Sequence, residues 1–190
     1  MNYIRLYNYR PALDGHVLDN AICAWTKMWN LSAPKQLTCG HSEIGFQCPY
    51  GGWEQGLCYT STMQDKVNGV VMRPAKDVVW KHPERWTYFE IPCYSDHEFE
   101  SARTWCEVRA SQNIRYDKRA IASFFWFKRL DSAKSDICSE ACWNVLKNVK
   151  GLELLLTLNI PSPLRLAHTV YKCGYDLYDL KTGKVILKAK

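Results

Sequence analysis

The amino-acid sequence predicts an α+β domain in which helices pack against one antiparallel sheet. An amphipathic helical pattern comes first, four short strand patterns follow it, and further helical patterns occupy the second half of the chain. The 190 residues are 47% apolar, which is enough to build one sizeable core. Because no repeat, low-complexity run or long linker divides the sequence, we predict a single domain over 1–190.

The first helix is predicted over about 17–29. Leu18, Ile22 and Trp25 recur at the three-to-four spacing of a helix face. Asn30 follows the last apolar position and is a typical helix end.

Four strands are predicted after this helix. Segments 36–46 and 57–63 flank the turn-forming stretch 48–52, which predicts a hairpin. Two shorter patterns, 70–72 and 86–91, are rich in β-branched or aromatic residues. We therefore expect an antiparallel sheet.

Three helices are predicted in the second half. Ser95 and Glu98 have the spacing of a capping box before the first of them. Apolar residues at helical spacing predict the second over 121–127 and the third from near Cys138 to Gly151.

The C-terminal segment 167–190 is predicted to extend a core that covers about 12–166. Its strand-forming stretches 171–177 and 185–187 flank the turn 181–183, which predicts a late hairpin.

Composition and charge narrow the class of protein. The net charge of +6 is spread along the chain, without the dense basic stripe that is typical of nucleic-acid binding. No apolar run approaches the ~18 residues of a membrane span, and residues 1–10 lack the pattern of a secretory leader. Nine cysteines, an odd number at irregular spacing, indicate mostly reduced thiols. We expect a soluble cytoplasmic protein with no nucleic-acid partner.

Two features together indicate a reactive cysteine. Cys138 lies where a loop turns into a helix, and a helix N-terminus with a base nearby lowers the pKa of a thiol. His41 lies on a predicted strand between Gly40 and Gly45, which leave room for backbone or ligand to approach. A thiol and an imidazole that are distant in sequence can meet in the fold. Taken singly, each residue is more typical of a buried structural position.

A zinc site is the metal alternative, because one thiol-rich stretch of twenty residues also contains a histidine. Structural zinc ligands are usually paired two to four residues apart, and here only one pair is close, with a single residue between its members. We therefore expect no metal. The ligands of such a site would be Cys39, His41, Cys48 and Cys58.

Five short motifs follow one another in a characteristic order behind the helical stretch 22–26. They are Gly40-His41-Ser42-Glu43-Ile44-Gly45, Gly69-Val70-Val71, Arg115-Tyr116-Asp117, Ile137-Cys138-Ser139-Glu140 and Pro161-Ser162-Pro163. In number and order they resemble the circularly permuted branch of the NlpC-like, papain-like cysteine peptidases and amidases, over about 12–166.

This resemblance implies a papain-like fold and an enzyme that hydrolyses a peptide, amide or ester bond through an acyl-cysteine. Cys138 would be the nucleophile and His41 the general base, with no cofactor. The oxyanion would be held by the N–H groups of Cys138 and Ser139. The substrate would be a peptide, an amide or an ester, and a protein is one such substrate.

The third catalytic residue departs from the family pattern. Relatives often carry Glu or His on the strand after the turn, and segment 58–62 contains neither. Thr60 or Ser61 would orient the ring of His41, with Glu43 and Glu54 as alternatives.

Two rival functions stay open. A lipid acyltransferase on a related permuted fold would carry a membrane-binding segment, which the sequence does not display. A catalytically inactive relative acting as a protein-binding module is favoured by the missing third acid. The composition would also suit a bacteriophage protein, whose target would be a host or virion protein.

Overall fold

The computed structural model describes residues 1–11, 17–28, 30–63, 66–119, 135–159 and 161–189. In this part of the chain, helices pack on one face of an antiparallel sheet, which confirms the predicted α+β class. The described helices are α1 (Val17–Met28), α2 (Asp96–Ser111), α3 (Cys138–Leu146) and α4 (Pro163–Lys172).

The sheet joins strands from both ends of the chain. The described strands are β1 (Tyr3–Tyr9), β2 (His41–Cys48), β3 (Gly52–Thr62), β4 (Gly69–Pro74), β5 (Trp86–Pro92), β6 (Arg115–Tyr116), β7 (Ser135–Asp136), β8 (Leu177–Asp179) and β9 (Val185–Leu187). Seven of them form one sheet in the spatial order β4-β3-β2-β1-β5-β8-β9, with every neighbouring pair antiparallel. Strands β6 and β7 form a separate parallel pair.

Strand β1 lies at the centre of the sheet, between β2 and β5, and we did not predict it. Ile4 and Leu6 point to the helical face and are fully buried, while Tyr7 is fully buried on the opposite face. Because both faces of β1 are covered, its sequence lacks a clean polar and apolar alternation.

The main core lies between the sheet and the helices. Each aliphatic side chain buried there stabilises the fold by about 1.5–3 kcal/mol. Its central members include Ile4, Leu6, Ile44 and Phe89 from the sheet, Ala141, Cys142 and Leu146 from α3, and Leu166 and Val170 from α4.

The opposite face of the sheet carries a smaller apolar cluster. Tyr7 and Trp86 meet edge to face with their ring centroids 6.5 Å apart. Ala75 and Val79, from the segment between β4 and β5, cover these rings. This segment therefore forms a wall beside the start of β2.

The helix caps follow the sequence closely at α2. The hydroxyl of Ser95 accepts a hydrogen bond of 3.1 Å from the N–H of Glu98, as a capping box requires. The Glu98 carboxylate reaches back to the N–H of Tyr94 at 2.6 Å, and it also accepts the N–H of Lys150 at 2.9 Å. The cap of α2 is thus tied to the chain that follows α3.

Several predicted boundaries differ from those observed. Strand β2 begins at His41, because the preceding chain turns, with the N–H of Leu37 bonded to the carbonyl of Pro34. Helix α3 stops at Leu146, before Gly151. The predicted helix at 121–127 lies outside the described residues.

The late hairpin is present as β8 and β9, but β8 begins only at Leu177, because Tyr171 and Lys172 belong to α4 and the chain turns after them. Ser162 caps α4 by accepting the N–H of Arg165 at 3.3 Å, and Pro163 occupies the first helical position.

Among the described helices, none has the length and apolar character that crossing a membrane requires.

Candidate active site

Cys138 is the first residue of α3. Ile137 precedes it in an extended conformation and offers no side-chain cap to the helix. The first N–H group with a partner in the helix ladder is that of Ala141, which bonds the carbonyl of Ile137 at 2.9 Å. The N–H groups of the first turn therefore lie free of a side-chain cap, at the positive end of the helix dipole.

The chain just before Cys138 is held from two sides. The hydroxyl of Ser61 on β3 donates a hydrogen bond of 2.6 Å to the carbonyl oxygen of Asp136. The guanidinium of Arg109 on α2 bonds the Asp136 carboxylate at 2.7 Å and packs against Trp105. These contacts fix the position of the residue two places before the thiol.

His41 is the first residue of β2, and its ring lies between a thiol and a carboxylate. The Cys138 sulfur is an electrostatic neighbour of the ring, and Nε2 of His41 lies 3.2 Å from Oε1 of Glu43. Burial lowers the pKa of His41, but the neighbouring Cys138 sulfur and the Glu43 carboxylate outweigh burial and raise this pKa to about 10. The protonated ring is the form that these neighbours favour.

Glu43 connects the imidazole to a second cation. Because side chains alternate along a strand, Glu43 shares the face of His41. Its Oε1 also accepts a hydrogen bond of 2.9 Å from Arg73 on β4. The carboxylate is almost completely buried, and within the described part of the chain its Oε2 has no hydrogen-bond partner.

The hydroxyls of Thr60 and Ser61 point to backbone groups. Thr60 donates to the carbonyl of Ser42 at 2.8 Å, and Ser61 donates to Asp136. The structure therefore brings together Cys138 and His41 with Glu43, while Thr60 and Ser61 bond elsewhere.

Glu54, the other alternative, is exposed on β3 near the turn that joins it to β2. His41 begins β2 at the opposite end of this hairpin, roughly 20 Å away at ~3.3 Å per residue. Arg73, in contrast, belongs to the site and was missed by us, because its approach to Glu43 depends on the register of three strands.

The other cysteines near Cys138 are structural in character. Cys39 is fully buried, and its thiol donates to the carbonyl of His41 at 3.1 Å. Burial raises the pKa of Cys39, Cys58 and Cys142, which keeps these thiols protonated and unreactive. No cluster of three or more metal-ligating side chains occurs among the residues that the structure describes.

The thiol of Cys138, the imidazole of His41 and the carboxylate of Glu43 thus lie next to one another in space, beside a helix N-terminus that has no side-chain cap. This arrangement can transfer a proton from sulfur to nitrogen and stabilise the resulting ion pair. No protein-family model, curated protein or solved structure matches this chain.

Proposed function

We propose that this chain is a thiol-dependent hydrolase or acyl-transfer enzyme that acts on a peptide, amide or ester bond. Cys138 is the nucleophile and His41 the general base, in the permuted NlpC-like, papain-like arrangement that the sequence motifs resemble. The observation that carries the proposal is the position of Cys138 at the uncapped start of α3, with the His41 imidazole and its Glu43 partner as neighbours.

The proposed reaction has two steps. The sulfur of Cys138 attacks the substrate carbonyl carbon while His41 holds the thiol proton, and the leaving nitrogen or oxygen takes that proton as its bond to carbon breaks. The product is an acyl-cysteine. Water then attacks the acyl carbon and gives a proton to His41. When the carboxylic acid is released, this proton returns from His41 to the departing sulfur of Cys138.

The oxyanion of each tetrahedral intermediate forms next to the start of α3. The N–H groups of Cys138 and Ser139 belong to the uncapped first turn, so they are suited to donate to this oxygen. Removing one such donor in known enzymes costs about 10²–10³ in rate.

Glu43 acts as a positioning residue. Its contact with Nε2 leaves Nδ1 as the nitrogen that exchanges a proton with Cys138, and its negative charge stabilises the protonated ring. Arg73 holds the carboxylate in this orientation.

Site-resolved labelling with iodoacetamide tests the proposal directly. At about pH 6.5, Cys138 should be alkylated about tenfold faster than Cys142, which lies one turn along the same helix and is buried. His41→Gln should remove this advantage. His168→Gln, which changes a buried histidine on α4, should leave the advantage unchanged and serves as the control.

A second measurement addresses acyl transfer itself. Treatment with p-nitrophenyl acetate should place an acetyl group on Cys138, seen by mass spectrometry and lost slowly to water. Cys138→Ser should show no adduct at this position at neutral pH.

The rival is a non-catalytic protein-binding role, and the low exposure of the pair favours it: Cys138 is 5% exposed and His41 8%. If Cys138 reacts no faster than Cys142 in every variant and no acetyl adduct forms, the enzymatic proposal fails and the binding role takes its place.

A further inference from the structure

Asp136 carries a carboxylate close to the start of α3. Only Ile137 separates it from Cys138, so the Cα atoms of Asp136 and Cys138 are at most ~7 Å apart. A carboxylate in this position is typical of a helix cap, because it can accept the N–H groups of the first turn and is favoured at the positive end of the dipole. Its local chemistry therefore favours the same N–H groups that the proposed reaction needs.

In the structure this carboxylate bonds to α2 instead. Its Oδ2 accepts a hydrogen bond of 2.7 Å from Nη2 of Arg109, and within the described part of the chain no hydrogen bond joins the carboxylate to α3. The side chain of Asp136 is 5% exposed and that of Arg109 is 24% exposed. Because a buried carboxylate without a partner is unfavourable, the charge-assisted bond to Arg109 stabilises this orientation.

Arg109 is itself held in place. Its guanidinium lies over the ring of Trp105, 5.5 Å from the centroid, and Trp105 meets Tyr59 of β3 edge to face at 6.0 Å. Burial would lower the pKa of Arg109, but its bond to Asp136 and the charge of that carboxylate raise this pKa above its usual value. The arginine therefore stays charged between α2 and the sheet.

The backbone of Asp136 is held separately from its side chain. Ser61 and the N–H of Asp117 both bond its carbonyl oxygen, at 2.6 Å and 3.1 Å. These two contacts position the chain before Cys138, whereas the ion pair with Arg109 directs the carboxylate. Substitutions in the ion pair can therefore move the carboxylate while the backbone keeps its own anchors.

Building on the proposed function, we propose that Arg109 is a positioning residue for acyl transfer, because it holds the carboxylate of Asp136 away from the first turn of α3. The N–H groups of Cys138 and Ser139 then stay available to the oxyanion. Without Arg109, the carboxylate would turn to these N–H groups, bond them as a helix cap and bring a negative charge to the place where the oxyanion forms.

Two reagents separate this effect from the reactivity of the thiol. p-Nitrophenyl acetate acetylates the sulfur of Cys138 through a tetrahedral oxyanion and releases p-nitrophenolate, whereas iodoacetamide alkylates it by displacement of iodide and forms no oxyanion. The ratio of the acetylation rate to the alkylation rate therefore reports on the oxyanion donors. Arg109→Gln should lower this ratio about tenfold, which is less than the loss of about 10²–10³ for removing one donor outright.

Removal of the carboxylate should reverse the loss. When Asp136→Ala is added to Arg109→Gln, neither the misplaced charge nor a capping oxygen remains, so the ratio should return to the wild-type value. Arg109→Lys keeps a cation on the same helix and should also keep the ratio. Arg103→Gln is the control, because it removes a partly exposed arginine that pairs with Glu107 on α2 and makes the same change in net charge.

Asp136→Ala alone provides a second test that does not depend on the folding of the Arg109→Gln protein. It leaves the carbonyl oxygen with both donors and should keep the wild-type ratio. A fall in the ratio in this variant would overturn the positioning role, because the carboxylate would then be needed where it lies.

The remaining outcomes separate the two proposals. A wild-type ratio in folded Arg109→Gln protein would overturn the role of Arg109 and leave the enzymatic proposal standing. A ratio that stays low after Asp136→Ala is added would overturn it as well, because the misplaced carboxylate would not be the cause. If neither reagent distinguishes Cys138 from Cys142 in the wild type, the proposed function fails and this inference fails with it.

Discussion

Ser61, on β3, donates a hydrogen bond of 2.6 Å to the carbonyl oxygen of Asp136, which lies two residues before Cys138. We expected the hydroxyl of Ser61 to orient the ring of His41. In the structure it instead bonds the backbone of the segment that leads into Cys138. The same carbonyl also accepts the N–H of Asp117 at 3.1 Å. Ser61 thus joins the sheet to the start of α3.

Ser61→Ala should weaken both the fold and the site. Because the Asp136 carbonyl keeps its second donor, we expect a loss of about 1 kcal/mol in the free energy of unfolding. The alkylation rate of Cys138 should fall as well, since the chain before it is released. Urea unfolding and site-resolved labelling measure the two effects.

Thr26→Val is the control for this substitution. It removes a buried hydroxyl that donates to the carbonyl of Ile22 at 2.8 Å, within α1, and should leave the Cys138 rate unchanged. Equal losses of rate in the two variants would show that Ser61 acts only through general stability.

The pKa of His41 should depend on both of its partners. The Cys138 sulfur and the Glu43 carboxylate each raise this pKa, so Cys138→Ser and Glu43→Gln should each lower it. Titration of the ring signals by NMR measures the change. His168 is the reference, because burial and then Lys172 lower its pKa, and neither substitution touches it. If the pKa of His41 were the same in the wild type and in both variants, the proximity of Cys138 and Glu43 to the ring would be contradicted.

The raised pKa of His41 also predicts how stability varies with pH. The folded-state pKa lies above the unfolded value of about 6.5, so the stabilisation by the protonated ring is complete below about 6.5 and is lost as pH rises through the folded pKa. The advantage of wild type over His41→Gln in urea unfolding should therefore shrink between about pH 6.5 and 10.

His168 should show the opposite behaviour in the same experiment. Its folded-state pKa is lowered, so wild type should lose free energy of unfolding relative to His168→Gln only as pH falls below about 6.5. Parallel curves for the two histidines would be inconsistent with their surroundings in the structure.

Gly45 should tolerate no larger residue while Tyr7 is present. A Cβ at this position would overlap the Tyr7 ring on the adjacent strand. We expect Gly45→Ala to lower the free energy of unfolding by about 1–3 kcal/mol, as overpacking does. In a Tyr7→Leu background the same substitution should cost clearly less, and a double-mutant cycle of unfolding free energies measures the coupling.

The predictability of individual elements follows from the range of the interactions that form them. The pattern of α1 and the capping box of α2 depend on residues three or four apart, so both could be predicted from the sequence. Strand β1 could not, because its burial on both faces comes from distant parts of the chain. Helix α4 did carry a local signal, Ser162 followed by Pro163, which we did not use.

By itself, the sequence determined the α+β class, the hairpin of β2 and β3, the position of Cys138 at a helix start and that of His41 on a strand. These are local properties, because propensity, capping and alternation act over a few residues. Only the tertiary structure decided which groups meet. Strand register placed Glu43 and Arg73 together and turned Ser61 toward Asp136, because a shift of one residue moves every side chain to the other face of the sheet.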